Sequence, residues 1–374
     1  MKVCILSMQK IPNFGSLLQS YSLKKMLESL GHDVSFIDIE KIDDDYALMA
    51  DKSRSFSDES EKQKKSVVLN KLSRIDKYFV NRIRIKKRAL KQRYEFEKFR
   101  NDCLNIKDSD NYKNYDVCVI GSDEVFNCLA QAPWGFTSQL FGNVKQAEKV
   151  ITYAASCGST TVSEVPKNVQ NKIRNTFKRV SAFSVRDDNT ADFVHALSDK
   201  EVIKSLDPVV VGNFDKEIQK TTVSCELPKR YAVIYAYYNR IHKPEEIRAI
   251  KSFCKNHDLE MVTVGAPQMW IKKHLVLSPF EMLKVFKQAD FVITDTFHGT
   301  IFSAKYADKF AVIARESNKN KLLDLIDRLG VDQHLLSSMN DLEKAYVSKN
   351  DINKVNAYAQ KEREKTLEYL KQNI

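Results

Sequence analysis

A single histidine, His298, stands where a buried strand is expected to pass into a helix. The apolar run Phe291–Ile293 is typical of a strand, and an amphipathic helix pattern starts at Ile301. Ligands bind at this edge of open α/β sheets, and the free N–H groups of a helix start favour an anion there. A histidine in such a place can exchange protons with an anionic substrate near neutral pH. The competing interpretation of the segment is a capped turn that holds a packed histidine.

Four loops of small polar residues follow predicted strands in the first half of the chain. Arg186 ends one of these strands, and its planar guanidinium suits bidentate capture of a phosphate or carboxylate. Each loop alone is more often a helix cap than a ligand site, but four at one sheet edge indicate an anionic ligand. The loops are Asn13-Phe14-Gly15-Ser16, Gly121-Ser122-Asp123-Glu124, Ala155-Ser156-Cys157-Gly158 and Ser184-Val185-Arg186-Asp187.

The elements that position these loops alternate between strand and helix along the chain. Two successive runs of this alternation predict an α/β fold of two doubly wound, Rossmann-like domains with a ligand cleft between them. A polar stretch over 213–228 is expected to separate the two runs. We therefore predict an N-terminal domain over 1–215, a C-terminal domain over 229–345, and a last helix over 350–374 that could pack back on the first domain.

The net charge of +11 is local, because the segment 62–100 contains 15 Lys or Arg against three acids. Apolar residues at spacings of three and four predict a basic helical insertion here, whereas the preceding Asp43–Glu61 is expected to be a loop. The insertion has three interpretations: a solvated helix packed on the domain, attachment to an anionic membrane surface, or nucleic-acid binding. The last is disfavoured because no aromatic-rich nucleic-acid module accompanies the charge. The apolar residues are Val68, Leu72, Ile75, Phe79 and Ile83, then Leu90 and Tyr94.

Composition excludes several other classes of protein. The seven cysteines are scattered without a C-x-x-C pair, which favours free thiols in a reducing compartment over disulfides or a zinc site. No signal-peptide core or membrane-spanning run is recognisable, so we expect a cytoplasmic location, peripheral at the inner membrane face if the basic segment binds lipid. No loop has a dinucleotide or Walker A pattern and no cluster has metal-ligand spacing, so neither cofactor nor metal is expected.

Together the loop motifs resemble those of polysaccharide pyruvyl transferases, from the first strand to about Gly330 and without the basic insertion. The resemblance implies a two-domain fold similar to GT-B glycosyltransferases. It also implies transfer of a pyruvyl group from phosphoenolpyruvate to a glycan acceptor, expected to be an undecaprenyl-linked sugar, with a cyclic ketal as product. The motifs are Asn13-Phe14-Gly15 with Leu18-Gln19-Ser20-Tyr21, Gly121-Ser122-Asp123 with Asn127, Tyr153-Ala154-Ala155-Ser156, Ser184-Val185-Arg186-Asp187, Asp207-Pro208 and Thr294-Asp295-Thr296-Phe297-His298-Gly299.

For that reaction we expect Arg186 and the helix start near His298 to hold the donor anion. His298 would be an acid or a base, and Asp123 would bind acceptor hydroxyls or act as a base. Many family members carry an arginine at the position of Thr296; if the reaction needs a second cation, the candidates are Arg315, Lys319 and Lys321. The remaining substrate-binding candidates are Asn13, Gly15, Ser122, Ser156, Asp295, Thr296, Gly299 and Thr300.

Two other functions remain open on the sequence. A GT-B-like glycosyltransferase using a sugar nucleotide would share the fold, but it calls for a ribose-binding acid in the second half that the sequence does not identify. A non-catalytic module that binds a polyanion through the basic helix would predict nucleic-acid binding that weakens steeply with salt.

Overall fold

The computed structural model describes residues 1–53, 72–130, 132–238, 240–316 and 318–374, with side chains described outside 49–84. These residues form two parallel sheets of six strands each, which confirms the predicted pair of doubly wound α/β units. Parallel strands covered by helices on both faces read as nearly continuous apolar runs. Val117–Ile120, for example, is fully buried.

The first sheet has the strands β1 (Lys2–Leu6), β2 (Asp33–Phe36), β3 (Tyr115–Ile120), β4 (Ala147–Thr152), β5 (Val180–Val185) and β6 (Val202–Lys204). Their order is β2-β1-β3-β4-β5-β6. The helices of this half are α1 (Phe14–Ser29), α2 (Asp43–Ser53), α3 (Leu72–Phe99), α4 (Lys167–Phe177), α5 (Asp188–His195), α6 (Pro208–Val211) and α7 (Asp215–Lys220).

The second sheet has the strands β7 (Tyr231–Tyr235), β8 (Glu260–Val264), β9 (Lys273–Leu275), β10 (Phe291–Thr294), β11 (Phe310–Ile313) and β12 (Leu335–Leu336). Their order is β12-β11-β10-β7-β8-β9. The helices of this half are α8 (Pro244–Asn256), α9 (Pro279–Gln288), α10 (Phe297–Tyr306), α11 (Lys319–Leu329), α12 (Leu342–Val347) and α13 (Ile352–Asn373).

Each sheet reverses its winding at one point, between β1 and β3 in the first and between β7 and β10 in the second. Ligands of such sheets bind in the crevice beyond the carboxyl ends of the strands at this reversal. The loop after β1 leads to Asn13, and β10 leads to Thr296 and His298. The two crevices therefore carry the predicted loops at Asn13 and at His298.

The two halves share one hydrophobic core, which includes residues of α1, α6, α9 and α10. The last helix, α13, also reaches the first sheet, where the Tyr369 hydroxyl donates to the Thr152 carbonyl oxygen at 2.9 Å. Tyr153 on the adjoining loop contacts Thr366 through their hydroxyls at 3.1 Å. The second half and its last helix thus hold the first sheet from one side.

Two expectations for the insertion are wrong. Residues 43–53 form α2 and not a loop, because Asp45 is buried, accepts from the Ser138 N–H at 2.7 Å and pairs with Lys172; residues 54–61 lie outside the described ranges. On α3, Leu90 and Tyr94 are 64% and 68% exposed.

The buried face of α3 is offset from the predicted apolar stripe and contains Gln92, Phe96 and Phe99. Gln92 can lie on this face because backbone groups satisfy its amide. Val68 and the side chains of Leu72, Ile75, Phe79 and Ile83 lie outside what the structure describes. No helix within the described ranges is long and apolar enough to cross a bilayer.

A buried lysine joins the second half to α6. Lys305 lies on α10, and its ammonium donates to the carbonyl oxygens of Val209 at 3.1 Å and Val210 at 2.6 Å, and to that of Gly212. These oxygens close the end of α6, where the helix itself supplies no donors. Lys305 thereby fixes α6 against the helix that carries His298.

We expect Lys305→Met to lower the free energy of unfolding by roughly 2–4 kcal/mol, because it leaves buried carbonyl oxygens without a donor. Urea denaturation followed by circular dichroism measures this change. Lys287→Met, an exposed position on α9, is the matched control and should leave the stability nearly unchanged. Equal stability of the two variants would contradict the role given to Lys305.

Candidate active site

His298 lies in the first turn of α10, and its ring faces a buried carboxylate of the first half. Thr296 caps the helix, because its hydroxyl accepts from the Gly299 N–H at 2.9 Å. The ring nitrogen Nε2 of His298 is 3.4 Å from Oδ2 of Asp207, which is fully buried. The side chain of His298 remains 13% exposed to solvent. A partly open imidazole beside a buried carboxylate can hold or pass on a proton.

The other side of the His298 ring lies against Gly15 at the start of α1. A Cβ atom at Gly15 would lie 2.2 Å from Nδ1 of His298, so no side chain fits there. Asn13 caps α1 by accepting from the Ser16 N–H at 2.8 Å. The first turns of α1 and α10 therefore meet at His298, and the positive ends of both helix dipoles favour an anion between them.

Asp207 is the shared acceptor of the site. Its Oδ2 accepts from Nη1 of Arg186 at 2.9 Å and from the Ser122 hydroxyl at 3.4 Å, while Oδ1 accepts from the Val209 N–H at 2.9 Å. Burial alone would raise the pKa of Asp207, but the charges of His298 and Arg186 hold that pKa well below its usual range. The carboxylate thus stays ionised while completely removed from water.

The site list drawn from the sequence missed Asp207, although Asp207-Pro208 was one of the family motifs. Asp207 caps α6 and Pro208 occupies the first helical position, which is a common arrangement at helix starts. An acid before proline therefore has a sufficient local explanation in the sequence. Its contact with Arg186 becomes visible only once the first half is folded, and its contact with His298 only when the two halves meet.

Arg186 is 4% exposed, and its guanidinium carbon lies 4.5 Å from the centre of the Phe297 ring. Burial disfavours its charged form, but Asp207 and then Asp123 raise the pKa of Arg186 above its usual range. Its charge is therefore largely balanced by carboxylates, while its Nε atom is buried without a partner among the described residues. An anion that reaches Arg186 would find this Nε–H group free to donate a hydrogen bond.

The predicted polar loops of the first half lie around Arg186. Asp123 accepts from the Ser16 hydroxyl at 2.8 Å, which ties the loop after β3 to α1. The Ser156 hydroxyl donates to Asp187 Oδ2 at 2.8 Å. Both serine hydroxyls are used in hydrogen bonds within the protein. In this arrangement the loops hold one another in place.

Gly299 and Thr300 serve the start of α10. A Cβ atom at Gly299 would lie 2.2 Å from the Thr294 hydroxyl oxygen, so this helix also needs glycine close to its cap. The Thr300 hydroxyl donates to the Thr296 carbonyl oxygen at 2.9 Å. These contacts position His298. Gly299 and Thr300 themselves contact backbone groups and neighbouring hydroxyl groups.

The candidate replacements for an arginine at Thr296 are already paired. Arg315 makes two hydrogen bonds with Glu246, at 2.6 and 3.2 Å, and its Nε is 3.5 Å from Oδ2 of buried Asp295. Burial raises the pKa of Asp295, and this effect outweighs the charges of Arg240 and Arg315, which lower it.

Lys321 reaches across to the first half and lies 2.9 Å from Glu124 Oε1. Burial would raise the pKa of Glu124, but Lys321 outweighs it and lowers that pKa to about 2. Lys319 is exposed and lies 3.9 Å from Glu316. Each of the three cations therefore has a carboxylate partner.

A cavity of about 380 Å³ opens beside His298. It is lined by Asn13, Thr296 and His298, by residues of the loops after β7 and β8, and by residues of α3. Neither Arg315 nor Lys321 contributes to it. Within the described ranges no group of three His, Cys, Asp or Glu side chains has the geometry of a metal site.

Sequence comparison identifies the family. A family model described as polysaccharide pyruvyl transferase matches residues 13–317. The chain belongs to the polysaccharide pyruvyl transferase family. This finding confirms the resemblance drawn from the loop motifs and makes the protein a pyruvyl transferase. A search of curated proteins finds no match to the chain.

Several solved structures align over nearly the whole chain. The UDP-GlcNAc 2-epimerase of Methanocaldococcus jannaschii shares 11% identity at a TM-score of 0.49, with 99% of this chain and 100% of that chain covered. The Neisseria meningitidis UDP-GlcNAc 2-epimerase shares 9% at a TM-score of 0.48, with both chains fully covered. A Streptomyces glycosyltransferase shares 10% at a TM-score of 0.43, with coverage of 100% of this chain and 99% of that chain.

The contact between Gly15 and His298 gives a test by double substitution. Gly15→Ala should displace the ring and destabilise the protein by roughly 1–3 kcal/mol, the usual cost of an overpacked site. The same change in a His298→Ala background should cost much less, because the ring is then absent. Denaturant unfolding of the four proteins measures the coupling. Equal costs in both backgrounds would mean that the ring does not occupy this position.

Proposed function

We propose that the protein transfers the pyruvyl group of phosphoenolpyruvate to two hydroxyls of a sugar in a polysaccharide precursor. Family membership supports pyruvyl transfer. The observation that carries the choice of residues is the pair of His298 Nε2 and buried Asp207 Oδ2, 3.4 Å apart, at the meeting of α1 and α10. The product is a cyclic ketal, and phosphate is released.

The reaction moves two protons. The methylene carbon of phosphoenolpyruvate gains one and becomes a methyl group, the adjacent carbon forms bonds to both sugar oxygens, and the C–O bond to phosphate breaks. The two hydroxyl protons of the acceptor thus end on the methyl group and on the departing phosphate. A group that gives and takes protons near neutral pH is needed beside the reacting carbon.

His298 is the group proposed for this work. Its Nε2 lies 3.4 Å from the ionised Asp207 carboxylate, so a proton transferred through the ring passes beside a fixed negative charge. As an acid it would protonate the methylene carbon. As a base it would accept the proton of the attacking hydroxyl. Asp123, held by Ser16 on the opposite loop, is the second candidate base or acceptor ligand.

The donor carries a phosphate and a carboxylate, and both require N–H donors. The first turns of α1 and α10 supply backbone N–H groups, and Arg186 supplies the unsatisfied Nε. This assignment places the donor anion between the halves, beside His298. Because the charge of Arg186 is shared with Asp207, the helix starts are expected to provide a large part of the binding.

His298→Gln should fold, bind phosphoenolpyruvate within about tenfold of the wild type, and lose at least about 10² in turnover, the usual contribution of a general acid–base group. Phosphate release from phosphoenolpyruvate in the presence of a panel of sugar acceptors measures turnover. His195→Gln, at an exposed position on α5, serves as control and should keep full activity. Turnover of His298→Gln within a factor of about three of wild type would make His298 structural.

We further propose that the acceptor is lipid-linked and that α3 brings the enzyme to an anionic membrane surface. Lys86, Lys87 and Lys91 are exposed on α3, whereas Arg88 is half-buried in the cavity wall. Each basic residue near such a surface contributes about 1 kcal/mol to attachment. The exposed lysines are therefore the residues to test, and Arg88 should be left unchanged.

Replacing Lys86, Lys87 and Lys91 by Glu should weaken binding to vesicles of anionic lipid by more than about tenfold, because attraction is replaced by repulsion. Vesicle sedimentation at low and high salt measures the loss, and raised salt should imitate it in the wild type. The same reversal at Lys354, Lys361 and Lys371, which are exposed on α13, is the matched control. Equal losses in both variants would mean that net charge alone explains the weaker vesicle binding, and would contradict docking through α3.

A further inference from the structure

The short helix α6 determines where the carboxylate of Asp207 lies. Asp207 caps this helix, since its Oδ1 accepts from the Val209 N–H at 2.9 Å, and its Oδ2 lies 3.4 Å from Nε2 of His298. The helix has four residues, and so short a helix is not stable on its own. The position of Asp207 relative to His298 therefore depends on the groups that hold α6 from outside.

Side chains from three longer helices hold α6 by its carbonyl oxygens. The Ser22 hydroxyl on α1 donates to the Pro208 carbonyl oxygen at 2.6 Å. On α13, Nη1 of Arg363 donates to the Val211 carbonyl oxygen at 3.2 Å. The Lys305 ammonium on α10 donates to the carbonyl oxygens of Val209, Val210 and Gly212. Each carbonyl oxygen over 208–212 thus has a donor on another helix.

Lys305 differs from the other two donors because it lies on the same helix as His298. The two residues are seven positions apart on α10. This spacing corresponds to two turns, so both side chains leave the helix on the same side, about 10 Å apart along its axis. His298 meets α6 at its start, and Lys305 meets it at its end. Two contacts fix the relative position of the two helices, whereas a single contact would leave α6 free to pivot.

The contribution of Lys305 is its hydrogen bonds and not its volume. The residue is 3% exposed. A protonated lysine has three N–H donors, and three carbonyl oxygens accept them. A buried charge is costly, and a methionine of nearly the same length would fill the space without that cost. The ammonium therefore acts here as the donor that holds the end of α6.

We infer that Lys305 is a positioning residue for the reaction: by holding the end of α6, it sets the distance and angle at which Asp207 meets the imidazole of His298. The inference rests on the proposed function and adds a residue that acts on the site through α6. Lys305 does not line the cavity beside His298. Displacing a reacting group by about 1 Å can lower a rate by about 10². Loss of the Lys305 donors should therefore slow the reaction from outside the cavity.

The kinetic constants distinguish this role from a merely stabilising one. Lys305→Met should lower kcat for phosphate release from phosphoenolpyruvate by at least about tenfold, because Asp207 is then held less closely to His298. The KM for phosphoenolpyruvate should stay within about threefold, since the helix starts and Arg186 remain in place. Lys305→Arg keeps the charge and should recover part of the loss. The assays are run at about pH 6, below the pKa of about 7 to which burial lowers that of Lys305.

Ile250→Ala is the control for lost stability. Ile250 is fully buried on α8 in a separate hydrophobic cluster, so its truncation also destabilises the protein. At a temperature at which every variant is folded, Ile250→Ala should keep the kcat of the wild type. A kcat of Lys305→Met within about threefold of the wild type, or an equal loss in Ile250→Ala, would overturn the inference.

A double substitution shows whether Lys305 acts through the pair of His298 and Asp207. In a His298→Gln background the pair is already lost, so adding Lys305→Met should lower the residual kcat by less than about threefold. Equal losses in both backgrounds would overturn the inference. Lys305→Gln keeps two N–H donors and is the milder variant if Lys305→Met does not fold. It should lose at least about threefold in kcat, and this loss should vanish in the His298→Gln background.

The ring signals of the histidines test the geometry without turnover. In protein labelled with ¹⁵N-histidine, the signals of His298 are those that His298→Gln removes. Lys305→Met should shift them, whereas the signals of the other six histidines should stay in place, as should all of them in Ile250→Ala. Unchanged His298 signals in Lys305→Met would overturn the inference. Failure of the proposed function would be seen separately, as absence of phosphate release by the wild type with every acceptor.

Discussion

The buried carboxylate of Asp207 constrains the rest of the structure. A charge removed from water is stable only when it is paired and hydrogen-bonded. Asp207 finds Arg186 and Ser122 in its own half and His298 in the other half. The free energy of this buried ion therefore depends on how the two sheets sit against each other, and the position of the imidazole is set by an interaction that spans the chain.

Much of the fold follows from the sequence, because its signals are local and repeated. Apolar runs such as Val117–Ile120, followed by small polar loops and helical spacing, suffice to predict two parallel sheets. Because the strands of each sheet are parallel, their carboxyl ends and the predicted loops that follow them lie at the same edge. Short elements such as β9, β12 and α6 lack enough residues to show a period.

The site is less accessible to sequence reasoning, because its contacts join distant segments. Gly15 was one of the expected substrate-binding residues, and the structure shows that it makes room for the ring of His298. Arg315 and Lys321 looked available as cations because Glu246 and Glu124 lie far away in sequence. On α3, the periodicity of Leu90 and Tyr94 pointed to the wrong face, since a polar residue, Gln92, fills the buried position.

The contact of α13 with the first sheet has a consequence for the order of folding. The Tyr369 hydroxyl donates to the carbonyl oxygen of Thr152 across 217 positions of sequence, so this contact cannot form before residue 369 has been synthesised. Until α13 has been synthesised, the face of the first sheet around Tyr153 lacks the helix that covers it. A growing chain is thus exposed to association through that face, and assistance by a chaperone at this stage would be more useful than for a protein whose N-terminal half closes by itself.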